Sequence, residues 1–399
     1  MNESQYKVTS YRWVVLGVLM IVEALNQVLW INFASISPDA ATYFGVTLAD
    51  IDLLSLIFMI VFIAVTIPAS WVIDTKGFRL GAGIGAILTG VFAFLRIFAG
   101  TNYTMVFIFQ AGIALGQPFL MNSISKFSAQ WFPEGERATA TGLGTMAVFI
   151  GIFFGMLAPP LLLGLGGVST VVLVLGIISI IGMAAFLIFA KERPATPPGP
   201  AAVEQKTFVL EGIKGLLRNR DFLILMILFL IVMGSFNAIS TFIVPIIGAR
   251  GDAGIVGALI IVGGIIGSVV ISTLSDKYRK RKIFMVIAAA ASVPLLLGIT
   301  FIGVYSLLIV IAIISGFFVM STLPIGLEFA AEQTAPIPEG TSNGLLIMMG
   351  QIGGIIFILS FLDITAGTSY ILMIFLMILL AVAFGFSLIL RERPLEKVS

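Results

Sequence analysis

The sequence predicts an all-α integral membrane protein with twelve transmembrane helices in two six-helix bundles. Two observations carry that expectation. Hydrophobic residues fill 59% of the 399 positions and charged residues only 11%, whereas about a quarter of a water-soluble domain is charged. Three phrases also occur twice, roughly 200 positions apart: Asp74-Thr-Lys-Gly-Phe-Arg79 and Asp276-Lys-Tyr-Arg-Lys-Arg281, Pro133-Glu-Gly135 and Pro338-Glu-Gly340, Lys191-Glu-Arg-Pro194 and Arg391-Glu-Arg-Pro394. Each pair sits at the same point between apolar stretches. One half has therefore been duplicated in parallel, which implies a pseudo-twofold axis along the membrane normal and a solute site near the midplane.

Crossing roughly 30 Å of hydrocarbon takes about 20 apolar residues. In the first half such stretches lie at approximately 13–36, 51–73, 80–99, 104–125, 138–163 and 167–190. The second ends at the Asp74 phrase, the fifth carries Pro159-Pro160 as an expected kink near its outer end, and the sixth ends at Lys191. In the second half they recur at 222–246, 253–274, 283–302, 304–330, 341–366 and 368–390. The eighth ends at the Asp276 phrase and the twelfth at Arg391. Glycines such as Gly151, Gly155, Gly263, Gly264 and Gly267 read as close helix contacts, while Gly353 and Gly354 could instead loosen the eleventh span. Residues 1–190 and 222–399 are the expected bundles. Between them, 191–221 opens with prolines as an extended linker, and Phe208 to Leu217 reads as an amphipathic surface helix.

Of the 22 Lys and Arg residues, only Arg96 and Arg250 fall on the side opposite the termini. The positive-inside rule then places both termini in the cytoplasm of a multi-pass plasma-membrane protein. The net charge of +2 comes from short juxtamembrane clusters and speaks for membrane lipids rather than nucleic acid. The first apolar stretch is too long for a cleavable signal and reads as a working helix. With no Cys and no His, thiolate chemistry, disulfides and imidazole relays are excluded, and no metal site or cofactor is expected. There is no phosphate-binding G-x-x-x-x-G-K-[ST] and no loop long enough for a soluble catalytic domain, so no catalytic residues and no enzyme activity are expected. A monomer is expected.

Two sets of charged residues suggest a cytoplasmic gate. In Asp74-x-Lys76-Gly-x-Arg79 and its Asp276 copy, an acid at a helix end precedes bases, an order that topology alone does not require. Glu328 and Glu332 lie four apart on one face at the end of the tenth span, where they need cationic partners; Arg137, Lys76 and Arg79 are the candidates.

The first span carries Glu23, Asn26, Gln27 and Trp30 at i, i+3, i+4 and i+7, hence on one face. Glu23 lies roughly 16 Å along the helix from Arg12, near the bilayer centre. Intramembrane carboxylates usually face a cavity or a partner. Glu23 is thus a candidate to carry a coupling proton or to act as counter-ion for a cationic solute. Gln110 and Gln117 in the fourth span, Asn237 with its Ser and Thr neighbours in the seventh, and Gln351 in the eleventh complete a weakly polar, one-acid pocket.

The Asp74 phrase and its copy resemble the loop signature of the major facilitator superfamily. More specifically, Leu-Trp-Ile-Asn-Phe at 29–33, Tyr-Phe-Gly-Val-Thr at 43–47, Ile-Asp-Leu-Leu-Ser at 51–55 and Ile-Pro-Ala-Ser-Trp at 67–71 resemble the feline leukaemia virus subgroup C receptor-related (FLVCR) transporter family. Leu323-Pro-Ile-Gly-Leu-Glu328, Pro338-Glu-Gly-Thr-Ser-Asn-Gly344 and Gln351-Ile-Gly-Gly-Ile-Ile-Phe357 extend the likeness. The resemblance implies the major facilitator fold, alternating access, and choline, ethanolamine or haem as cargo, with vitamins among more distant relatives. It also implies that Trp30 faces a quaternary ammonium and that Gln117 and Gln351 line the same cavity. Two positions depart from it: Asn237 stands where choline-carrying members have a second cage aromatic, and Glu23 where they have a small polar residue. The fifth span has Ala158-Pro159-Pro160 in place of the antiporter glycine-proline motif.

The expected function is therefore secondary-active or facilitated transport of a small organic solute, a cation or zwitterion such as choline or ethanolamine. The expected solute-binding set is Trp30, Asn26, Gln27, Gln117, Asn237 and Gln351. The alternatives are a proton-coupled exporter of amphipathic compounds, a carrier of another polar metabolite, and, remotely, a non-transporting solute sensor.

Overall fold

The structure, a computed structural model, describes residues 8–198, 214–278, 280–334, 337, 339–362 and 364–392, with only the backbone described at 134, 135, 138, 276 and 339–341. It divides into two compact units, Met1–Glu204 and Gln205–Ser399. No strand occurs among the described residues. Most of the expected surface helix at Phe208–Leu217 lies outside them.

The first unit contains α1 (Tyr11–Ile31), the short α2 (Ser37–Phe44), α3 (Leu48–Lys76), α4 (Phe78–Leu95), α5 (Tyr103–Trp131) and α6 (Glu134–Phe189). α6 is long enough for two crossings, and it is broken at Gly166 and Gly167, where Gly167 takes φ 75°, a backbone shape that side chains disfavour. The helix runs through Pro159 and Pro160 and turns back at this glycine pair. The second unit contains α7 (Arg220–Thr241), α8 (Ile243–Ile247), α9 (Ala253–Tyr278), α10 (Lys282–Phe301), α11 (Tyr305–Thr334), α12 (Glu339–Ser360) and α13 (Ser369–Ile389). Among the described residues, eleven helical segments are long and apolar enough to cross a membrane. Splitting α6 at its glycine break makes twelve crossings. Ile67, Phe98, Leu165 and Ile188 are exposed, as side chains facing hydrocarbon should be.

Helix pairing repeats between the units. In the first, α1 packs on α6, α3 on α5 and α4 on α6; in the second, α7 packs on α12, α9 on α11 and α10 on α13. Glycines create these approaches. A Cβ at Gly155 would lie 3.1 Å from the Val28 carbonyl oxygen, and Gly151 likewise leaves no room against Ala24 of α1. Gly353 faces Leu230 and Gly234 of α7, so it serves packing. In bilayers, where no hydrophobic force drives helices together, such contacts carry much of the association. At the end of the first unit that holds its Lys/Arg-rich loops, Phe78, Phe127, Trp131, Phe132 and Phe186 form a buried cluster with Val15 and Leu19.

Candidate functional site

The polar face of α1 divides on inspection. Gln117 Nε2 on α5 donates to Gln27 Oε1 (3.4 Å), and Gln27 Nε2 donates to Glu23 Oε1 (3.2 Å). The chain ends at Glu23 Oε2, which is buried and has no hydrogen-bond partner among the described residues. A carboxylate that is 1% exposed with one oxygen unsatisfied is costly unless a proton or an ammonium group completes it. Two turns further on, the Trp30 indole N–H donates to the Ser55 carbonyl of α3 (3.1 Å), which fixes the ring plane. Asn26 points elsewhere: its amide nitrogen donates to Thr89 Oγ1 of α4 (2.9 Å) and to the Ile113 carbonyl of α5 (3.2 Å). The structure thus joins Glu23, Gln27 and Gln117, anchors Trp30 beside α3, and uses Asn26 to tie three helices together.

In the second unit, Ser235, Asn237 and Thr241 are buried on α7, and Ser235 Oγ, Asn237 Nδ2 and Thr241 Oγ1 have no hydrogen-bond partner among the described residues. Asn237 and Thr241, four apart, share a face. Gln351 is buried on α12, beside the glycines that bring α12 against α7. This unit therefore offers an unspent amide donor and two hydroxyls.

The charged loop residues behave differently from the expectation. Arg281, at the start of α10, is the partner of both acids: its Nη2 lies 2.7 Å from Glu328 Oε1 and 3.2 Å from Glu332 Oε1, while its Nη1 donates to Ser275 Oγ (3.0 Å). The cation that the two acids need is thus supplied within their own unit, by a residue other than the candidates Arg137, Lys76 and Arg79. Arg281 is in the same unit as the two acids, and the start of α10 lies beside the end of α11, an adjacency that sequence spacing does not reveal. The Arg137 side chain donates to the Phe132 carbonyl (3.2 Å). Arg79 contributes its backbone N–H, described next; Asp74 and Lys76 occupy the last turn of α3. The Asp276 side chain lies outside the described residues.

Two residues that sequence reasoning passed over turn out to organise these loops. Glu192, from the Lys191 phrase, accepts from the backbone N–H groups of Phe78 (3.2 Å) and Arg79 (2.8 Å), the first two of α4. Gln130, once its amide is oriented by its surroundings, donates to both the carbonyl (3.0 Å) and Oε1 (3.1 Å) of Glu192. Gly77, with φ 99°, leaves room for the carboxylate. In the second unit Glu392 repeats the arrangement, accepting from the N–H groups of Arg281 and Lys282 (3.3 Å to the latter) at the start of α10. A glutamate at the same place in both Lys/Arg-Glu-Arg-Pro phrases was the available signal. The third repeated phrase caps the helix that follows the first.

These units, with their lipid-facing exteriors and buried polar helix faces, define a polytopic membrane protein. The Major Facilitator Superfamily model matches residues 19–358 and again 246–399, and the chain belongs to that superfamily. Among its relatives is the uncharacterised MFS-type transporter C09D4.1 of Caenorhabditis elegans, 33% identical over 88% of this chain. The chain spans 64% of the length of that relative. Solute carrier family 49 member A3 of Xenopus tropicalis is 31% identical over 91% of this chain and 80% of its own length. The choline/ethanolamine transporter FLVCR1 of Felis catus is 29% identical over 89% and 68%, in agreement with the resemblance read from the sequence. Among solved structures, a bacterial homologue of the human lysosomal transporter Spinster, inward-facing and unoccupied, superposes with a TM-score of 0.74 over 96% of this chain and 97% of its own, at 16% identity. That likeness shows the fold.

Proposed function

We propose that this protein carries a small organic amine or zwitterion, of the ethanolamine or choline type, across the plasma membrane by alternating access. Residues 1–190 and 222–399 are the moving halves, 191–221 the linker, and both termini are cytoplasmic. The single observation that carries the reading is the unsatisfied oxygen of Glu23 at the end of the Gln117–Gln27–Glu23 chain, on the helix that also presents Trp30. A carboxylate held this way attracts an ammonium group, and an indole face adds about 0.5–2 kcal/mol for a cation placed over it. Gln117 and Gln27 orient the acid. Asn237 and Gln351 of the second unit carry neutral amides on buried helix faces, groups that suit the hydroxyl or carboxylate of solutes in this class. The relatives named for choline and ethanolamine support the substrate class.

A second reading rests on the same oxygen: a proton completes Glu23, and its binding and release drive a polar solute. Uptake of radiolabelled ethanolamine and choline into proteoliposomes, wild type beside Glu23→Gln, with and without an imposed proton gradient, separates the two. Saturable uptake that is lost in Glu23→Gln and indifferent to the gradient supports the counter-ion role. Uptake that follows the gradient supports the proton role. Full activity of Glu23→Gln under both conditions overturns both.

A further inference from the structure

Arg96 is one of the two cations on the arginine-poor side of the membrane, and it is 1% exposed. It follows α4 in the turn Arg96–Ala99. Its Nη1 donates to Gln110 Oε1 (2.6 Å), and its guanidinium carbon sits 5.0 Å from the centre of the Phe33 ring. Gln110 is locked in place, its own nitrogen donating to the carbonyls of Leu29 (2.9 Å) and Leu54 (3.3 Å). Arg96 makes no ion pair among the described residues. A guanidinium is charged at neutral pH, and an amide oxygen and a ring face bring only partial charge to it. Buried cations are otherwise matched by an anion.

The segment that carries Phe33 holds further unsatisfied side chains. Arg96 Nε and Nη2, both amide atoms of Asn32 and the Ser35 hydroxyl have no partner among the described residues, and all three residues are buried. Leu29, Asn32 and Phe33 fall at i, i+3 and i+4 on helical backbone, so Asn32 shares the side of the chain that meets Gln110 and Arg96. These groups are rich in donors: arginine N–H groups, the Asn32 amide nitrogen and the Ser35 hydroxyl, which can also accept, on segments that meet where Arg96 packs on Phe33. We propose that Arg96, Asn32 and Ser35 form a binding site for a small monovalent anion of chloride size, wholly within the first unit and separate from Glu23. Anion occupancy then stabilises the ends of the first and third crossings, so that stability responds to anion identity.

The test is thermal unfolding of the purified protein in detergent at constant ionic strength, with gluconate replaced stepwise by chloride, bromide, nitrate or acetate. Chloride, bromide and nitrate are expected to raise the apparent melting temperature saturably by about 2 °C or more, and Arg96→Gln is expected to lose the rise. Asn32→Asp supplies an internal carboxylate next to the guanidinium and is expected to fold well in gluconate with no response to chloride. This variant decides the matter should Arg96→Gln fail to fold. Superimposable wild-type curves in all salts, a response to acetate alone, or a full chloride response in Asn32→Asp would overturn the proposal.

Discussion

Glu192→Ala removes the acceptor for the first two N–H groups of α4, which no side chain on the preceding residues can replace because the N-cap position is Gly77. Losing a side-chain cap costs about 0.5–2 kcal/mol, and losing a negative charge at a helix N-terminus a further 0.3–1 kcal/mol or so. Glu192 is half-buried, so the electrostatic part belongs at the low end, and about 1–2 kcal/mol is expected in total. For a unit of this size that corresponds to a fall of roughly 2–6 °C in melting temperature. The assay is scanning fluorimetry of the detergent-purified protein at one fixed scan rate, since membrane proteins often unfold irreversibly. Glu192→Gln keeps an acceptor oxygen and is expected to lose about half as much. Glu392→Ala should produce a comparable fall through α10, and Glu192→Ala with Glu392→Ala should be nearly additive, as the two caps share no partner. Melting temperatures within 1 °C of wild type for both single variants would refute the capping argument.

Arg281→Lys cannot reproduce the fork that reaches Glu328, Glu332 and Ser275 together; it should lose most of what Arg281→Ala loses, about 1–3 kcal/mol given the partly exposed acids, read as a shift in melting temperature. Asn26→Ala should lower stability by about 1 kcal/mol, near the range for inter-helix hydrogen bonds in membranes, while leaving the KM for transport within about twofold; a large KM change would place Asn26 at the solute. Gly353→Leu forces α7 and α12 apart and should abolish folding or cost about 2 kcal/mol or more by overpacking, measured by monodispersity on size exclusion. Arg250→Gln removes the donors to the Ile299, Thr300 and Ile302 carbonyls at the end of α10 and should cost about 1–3 kcal/mol in the same melting assay.

The crossings and the duplication were legible because they depend on local quantities, run length, hydropathy and repeated phrases. The boundary between the runs 138–163 and 167–190 was legible for the same reason, but the glycine pair that makes the turn, Gly166 and Gly167, was not, and Pro159-Pro160 was read as the kink instead. Side-chain destinations were not. Helical spacing put Asn26 with Glu23 and Trp30, but α1 is enclosed by protein on several sides, and a face about 100° wide can serve both a cavity and a neighbouring helix. Glu192 caps a helix 114 residues before it, and no period links the two. For Glu328 and Glu332, the need for a cation was readable and the identity of Arg281 was not, because it depends on how the start of α10 lies beside the end of α11.

Counterflow tests the central claim most directly, because it requires a carrier and no particular driving force. Proteoliposomes preloaded with unlabelled ethanolamine or choline are given a trace of the labelled amine outside. Transient, saturable accumulation of label in wild-type vesicles, absent from empty liposomes and reduced at least tenfold by Glu23→Gln, is the expected result. No accumulation of either amine by folded wild-type protein would contradict the account.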